Sequence, residues 1–184
     1  MNYKVLMKNS ILVIILFVFA VSCTHPEPRK PVVRKTSTFL KESIVRNKVI
    51  NKLEEEAFLE LMQSDSIHNY ISSESGFWYY YNVQNNNDII GPKKGDEVIY
   101  RYEIKDIYGD VLYTQDELGT RSYLVDKQEL ITGLQDGLKL MKEGEEVTFL
   151  FPSHKAYGYS GYQKIGSNQP LIYNVKVEKI IFNN

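Results

Sequence analysis

Hydrophobic positions recur with three different periods along this chain. Ile11 to Val21 is an unbroken apolar run of about 11 residues behind Lys4 and Lys8. A bilayer span needs about 20 such residues, so the run is short for one. Small Ser22 and then Cys23 follow it. Residues 1–22 therefore read as a secretory signal ending at a lipoprotein cleavage site. An uncleaved N-terminal anchor is the alternative, and a cysteine directly at the end of the run favours the first reading. Residues 23–37 hold Pro26, Pro28 and Pro31. Proline fixes φ and disfavours helix at the residue before it, so this stretch reads as an extended tether.

From Thr38 to His68 glycine and proline are absent, and the period becomes helical. Leu40, Ile44, Val49, Leu53, Phe58 and Leu61 recur at three- to five-residue steps. A helical arm over 38–71 is predicted, with Thr38 as a candidate N-cap. Its apolar face drifts: residues 44–50 and 53–62 centre on different sides, and no heptad fits. Two readings stay open. One is a helix, or two, packed partly on the rest of the chain. The other is an arm for self-association or partner contact.

After a turn at Ser72–Gly76 the period falls to that of strands. GFWYYYNV is aromatic and β-prone, Glu97 to Ile107 alternates, and Tyr108-Gly109-Asp110 turns it into Val111-Leu112-Tyr113. Tyr123-Leu124-Val125 is another short strand, and Glu145–Phe151 and Leu171–Phe182 are two more. Glu129–Met141 reads as the one short helix of this region, with Leu130, Ile131, Leu134, Leu138 and Met141 on one side. Antiparallel strands around one short helix make an α+β domain over 76–184.

Composition narrows the chemistry. The formal charge of −1 gives no basic field for nucleic acid. Removing residues 1–22 would also remove Lys4 and Lys8. One cysteine excludes an internal disulfide. His25, His68 and His154 are scattered and have no second cysteine near them, so no metal or other cofactor is expected. No GxSxG, P-loop or dinucleotide fingerprint occurs. A reaction needing a nucleophile or a metal has no carrier in this sequence.

The run KQELITGLQDGLKLMKEGEEVTFLFPSHKAYGYSG, from Lys127 to Gly161, carries a family resemblance. Together with PKKGDEVIYRYEI before it and PLIYNVKVEKI after it, it resembles the FKBP-type peptidyl-prolyl cis-trans isomerases. The specific marks are Ile131, Gly133-Leu134, Gly137-Leu138, Met141 and Gly144-Glu145 in register, then Pro152 with Ala156-Tyr157-Gly158. The end of the first apolar run resembles the bacterial lipobox, with Ala20 where leucine is commoner. The whole chain resembles the gliding-motility-associated lipoprotein branch of the family.

That resemblance implies an antiparallel sheet of five or six strands curled over a short helix, with a prolyl pocket between them. Tyr102 and Tyr157 are implied as rim hydroxyl donors, and with Ile131 they are the implied catalytic set. Leu130 and Ile131 are implied as pocket wall, Leu134 as its floor, Tyr173 as an aromatic of the last strand, and Ile165 as part of the covering loop. Leu112-Tyr113 stands where active relatives mostly have Phe-Asp, and Asp116 or Glu117 is the available substitute carboxylate. Gly166-Ser167 stands where relatives often have Pro-Pro. The implied clients are proline-containing polypeptides. The implied attachment is to membrane through acylated Cys23, in the cell envelope. Acidic residues do not cluster directly after Cys23, so a periplasm-facing position is expected rather than surface export.

Overall fold

A computed structural model of the protein describes residues 36–87 and 90–183. The expected signal segment 1–22, Cys23 with its expected acylation, His25 and nearly all of the expected tether lie outside the described residues. Two units are distinguished, Met1–Phe39 and Leu40–Asn184. Only the second is described at any length.

That unit is one seven-stranded antiparallel sheet with helices on its two faces. The strands are β1 (Ile71–Ser72), β2 (Trp78–Val83), β3 (Glu97–Asp106), β4 (Val111–Tyr113), β5 (Arg121–Leu124), β6 (Glu146–Phe151) and β7 (Leu171–Ile181). The helices are α1 (Thr36–Ser64), α2 (Gln115–Leu118) and α3 (Thr132–Leu140). The order across the sheet is β1-β2-β6-β7-β3-β4, and β5 also pairs with β3. Seven strands appear where five or six were expected. The two-residue β1 adds one, and two short strands share the free edge of β3. The α2 turn leaves the sheet between them, and this break in the edge is where the cleft forms.

Alternation along the strands separates the faces. Val98, Tyr100 and Ile104 of β3 are buried on the inner face, as are Val147, Phe149 and Phe151 of β6 and Leu171, Tyr173, Val175 and Val177 of β7. α3 lies across this face and buries Gly133, Leu134, Gly137 and Leu138. It approaches closely because two glycines face the sheet. A Cβ on Gly133 would sit 2.7 Å from the Phe151 ring. The helix begins at Thr132, so Leu130 and Ile131 precede it rather than belong to it.

The outer face is covered by the second half of α1. Phe58 is fully buried against Trp78, with ring centroids 5.8 Å apart. The first half is bare: Leu40, Ile44, Val45, Val49 and Leu53 are all more than half exposed. The drift in the apolar pattern has a physical source, since only the last turns of one continuous helix dock. The helix already runs at Thr36, so Thr38 lies inside its first turn rather than capping it.

One contact ties α1 to the inner machinery. Glu54, 6% exposed, accepts from the Ser153 amide at 2.8 Å and from the Ser153 hydroxyl at 2.6 Å. Ser153 opens the turn that leads from β6 to Tyr157.

Candidate functional site

The inner face is not filled to its end. Residues 98, 100, 102 and 104 of β3 share one side, yet Tyr102 is only partly buried between two fully buried neighbours. Above it opens a cleft of about 590 Å³. β3 contributes Tyr102 and Ile104 to its walls. The broken edge contributes Tyr113, Glu117, Leu118 and Arg121. The loop between β6 and β7 contributes Tyr157, Tyr162, Gln163 and Lys164.

An aromatic row holds Tyr102 in place. Phe151 contacts Tyr173 at 5.3 Å, and Tyr173 stacks on Tyr102 at 5.6 Å with planes 5° apart. Across the cleft, Tyr157 stacks on Tyr162 at 5.3 Å and 12°. The covering loop is shaped by its backbone. Tyr162 and Ile165 exchange amide–carbonyl bonds of 2.9 and 2.8 Å, and Gly161 adopts φ +61°, with no room for a Cβ. This tight turn leaves Ile165 in the core at 3% exposure, while its neighbours Tyr162, Gln163 and Lys164 face the cleft.

The phenols are held as donors. Burial raises the pKa of Tyr102 above its ordinary value; the Tyr157 phenol adds to this and Arg121 opposes it. Burial likewise raises Tyr157, against the neighbouring Tyr173 hydroxyl. Tyr173 is pushed far up by burial, with Tyr157 adding to the rise. All three therefore keep their protons at neutral pH. The Tyr173 hydroxyl is buried without a hydrogen-bond partner. It and the Tyr157 hydroxyl are near enough to influence each other, but they fall outside hydrogen-bond geometry. A buried hydroxyl without a partner is destabilising by about 1–3 kcal/mol. Tyr173→Phe is therefore expected to raise the denaturant midpoint, by about 1 kcal/mol in unfolding free energy. A lowered midpoint would show that the hydroxyl is satisfied in solution.

A clasp closes one end of the cleft. The Tyr113 hydroxyl donates to Gln163 Oε1 at 3.1 Å and accepts from the Lys164 amide at 3.1 Å. Lys164 Nζ bonds Glu117 at 2.8 Å and lies 4.7 Å from the Tyr113 ring centroid. The Glu117 carboxylate also accepts from the Thr114 amide, completing a capping box on α2. The Lys164 bond and then the Thr114 amide hold the Glu117 carboxyl below its ordinary value. The clasp is thus at full strength above the ordinary carboxylate range and is lost only as pH falls below it.

The nine residues implied by resemblance separate into groups. Tyr102, Tyr113 and Tyr157 meet at the cleft. Leu112, Leu130 and Ile131 are half-buried against the same core and are not among the lining residues. Leu134, Ile165 and Tyr173 are core, each at most 3% exposed. Of the two substitute carboxylates, Glu117 lines the cleft and is engaged by Lys164, while Asp116 does not line it. Sequence reading missed Arg121, Tyr162, Gln163 and Lys164. A tyrosine five residues after Tyr157 was the only local signal for any of them. Among the described residues no three His, Cys, Asp or Glu side chains gather as metal ligands, and no helix is long and apolar enough to cross a membrane.

Likenesses to one family and to three known proteins bear on this geometry. Residues 90–178 match the model of the FKBP-type peptidyl-prolyl cis-trans isomerase family. A probable FKBP-type peptidyl-prolyl cis-trans isomerase, FkpA, of Neisseria meningitidis serogroup B is 37% identical over 90 residues. That alignment covers 48% of this chain and 33% of the relative, so the match spans about a third of the relative's length. In three dimensions the chain superposes on Escherichia coli FkpA with a TM-score of 0.58 and 20% identity, covering 95% of this chain and 82% of that one. A peptidyl-prolyl cis-trans isomerase of Pseudomonas syringae pv. tomato gives 0.58 at 17% identity, covering 73% and 96%. The structural likenesses speak to the fold.

Proposed function

Because residues 90–178 belong to the FKBP-type peptidyl-prolyl cis-trans isomerase family, we propose that the chain catalyses cis–trans exchange of Xaa-Pro bonds in polypeptide clients. The carrying observation is the pairing of Tyr102 and Tyr157, two half-buried protonated phenols, at one cleft with apolar Ile104 and Leu118 in its walls.

The chemistry suits that cleft. Rotation about the Xaa-Pro amide faces a barrier of about 18–20 kcal/mol and takes tens to hundreds of seconds unaided. The planar amide is more charge-separated than the twisted one. The apolar wall of Ile104 and Leu118 favours the less charge-separated twisted amide, and a phenol placed to donate to the rotated carbonyl favours it further. No nucleophile, metal or proton transfer to the protein is required.

We further propose that the chain is a lipoprotein acylated at Cys23, held in the cell envelope facing the periplasm, where it assists folding of exported proteins. Its likeness to the gliding-motility-associated branch supports a link to motility or secretion machinery. The bare apolar stripe Leu40, Ile44, Val45, Val49 and Leu53 on α1 supports self-association or partner contact through the arm. One observation favours a second reading, a prolyl-binding chaperone with little turnover. Among the described residues no free carboxylate lines the cleft, since Tyr113 stands at the relatives' aspartate position and Glu117 is held by Lys164.

Refolding of a protein limited by a trans-to-cis prolyl step separates the two. The isomerase reading expects catalytic amounts of the chain to shorten the slow phase severalfold. Suppressed aggregation with an unchanged slow phase would favour the chaperone. In parallel, a fatty-acid probe should label the chain and fail to label Cys23→Ala; label on that variant would rule out the anchor.

A further inference from the structure

The cleft carries three charged side chains, and they do not cancel. Glu117 and Lys164 neutralise each other at 2.8 Å. Arg121 lines the same cleft as an exposed residue, and its side chain makes no salt bridge or hydrogen bond among the described residues. Strand alternation puts it there. Arg121 and Tyr123 lie on one side of β5, and Tyr123 is fully buried in the core. Arg121 pairs across the sheet with Tyr100, also buried. The core-facing side thus continues from two buried tyrosines to a guanidinium at the point where the core opens. Its charge reaches the phenols: burial dominates the upward shifts of Tyr100 and Tyr102, and Arg121 opposes both.

We propose that Arg121 makes this cleft select prolyl segments that carry a carboxylate, an aspartate or glutamate, beside the proline. This rests on the prolyl-binding reading of the site. The other arginine of the β3 edge does not compete for the role, since Arg101 is turned to Glu178 and Thr120. Lys164 is occupied by Glu117, so the cleft presents one uncompensated positive charge. A guanidinium offers a flat, forked set of donors that matches a carboxylate. Partly exposed ion pairs contribute up to about 1 kcal/mol, which is about fivefold in affinity. Salt should weaken the preference, because the cleft is open to solvent.

The test uses the full chain in detergent and two series of short peptides in NMR exchange. One series places Glu, Gln or Lys before the proline and the other places them after it. Wild type is expected to accelerate the Glu peptide about fivefold more efficiently than the Gln peptide in one series, with Lys lowest, and the gap should narrow in high salt. The series that responds tells which side of the proline faces Arg121. Arg121→Gln should level the three peptides, and Arg121→Glu should put Lys above Glu. Equal acceleration of Glu, Gln and Lys in both series by wild type overturns the proposal, as does a Glu preference that survives Arg121→Gln. If no peptide is accelerated, the isomerase reading fails by itself. Chemical-shift titration of the same peptides then decides the charge preference: Glu tighter than Lys in wild type only supports it, and equal binding or none overturns it.

Discussion

Replacing Glu54 with alanine is expected to destabilise the Leu40–Asn184 unit by about 3 kcal/mol. The carboxylate is buried and accepts two bonds from Ser153, one of them at 2.6 Å. Its removal leaves a buried amide and a buried hydroxyl unpaired, at roughly 1–3 kcal/mol each. For a unit of this size the thermal midpoint should fall by about 10 °C. Glu54→Gln keeps one acceptor and should lose about half as much. Ser153→Ala should lose less than Glu54→Ala, and the double variant should lose less than the sum, because the two side chains share one interaction. A thermal midpoint within a degree of wild type for Glu54→Ala would mean that α1 does not latch to this turn in solution. The same variant should also slow catalysis, because Ser153 opens the turn that carries Tyr157 four residues later.

The second large effect falls on chemistry rather than stability. Tyr157→Phe removes one hydroxyl from the cleft and leaves the ring stack on Tyr162 intact. A hydrogen bond to a neutral carbonyl is worth about 1–1.5 kcal/mol, so kcat should fall about tenfold. Tyr102→Phe should act similarly, since its ring is held by stacking on Tyr173 and not by its hydroxyl. If both phenols serve the twisted amide, the double variant loses about a hundredfold. KM should move little, because the interaction forms chiefly in the transition state. Circular dichroism and thermal midpoint should stay at wild-type values, which separates this effect from that of Glu54.

Much of this could be read from the chain, and the reasons for the gaps are physical. Strand and helix periods marked β2, β3, β6, β7 and α3, because alternation and 3.6-residue repeats are local signals. Tyr102 and Tyr157 were implied by the family resemblance rather than by any period in the chain, and the structure brings them to one cleft. The clasp was not legible. Tyr113 meets Gln163 across 50 residues of sequence, and Glu117 meets Lys164 across 47. Pairs at that separation leave no periodic trace. Nothing in the local sequence sets Glu54 apart from its neighbours Glu55 and Glu56, and its partner lies 99 residues away. Arg121 was hidden for a different reason. Its position is polar in a strand of four residues, and only the break in the sheet edge turns it into the cleft. Ile165 was assigned to the covering loop and does lie there. Its backbone pairing with Tyr162 sends the side chain to the core, a detail of turn geometry rather than of pattern.

The central claim is that two phenols facing one cleft accelerate prolyl exchange. NMR exchange spectroscopy on a short Xaa-Pro peptide tests it directly, with wild type beside Tyr157→Phe and the Tyr102→Phe/Tyr157→Phe pair. Cis–trans exchange should rise from its uncatalysed rate of once in tens to hundreds of seconds to many times per second with wild type. It should drop about tenfold for the single variant and about a hundredfold for the pair. An uncatalysed rate with folded wild type, or full acceleration by the folded double variant, would contradict the account.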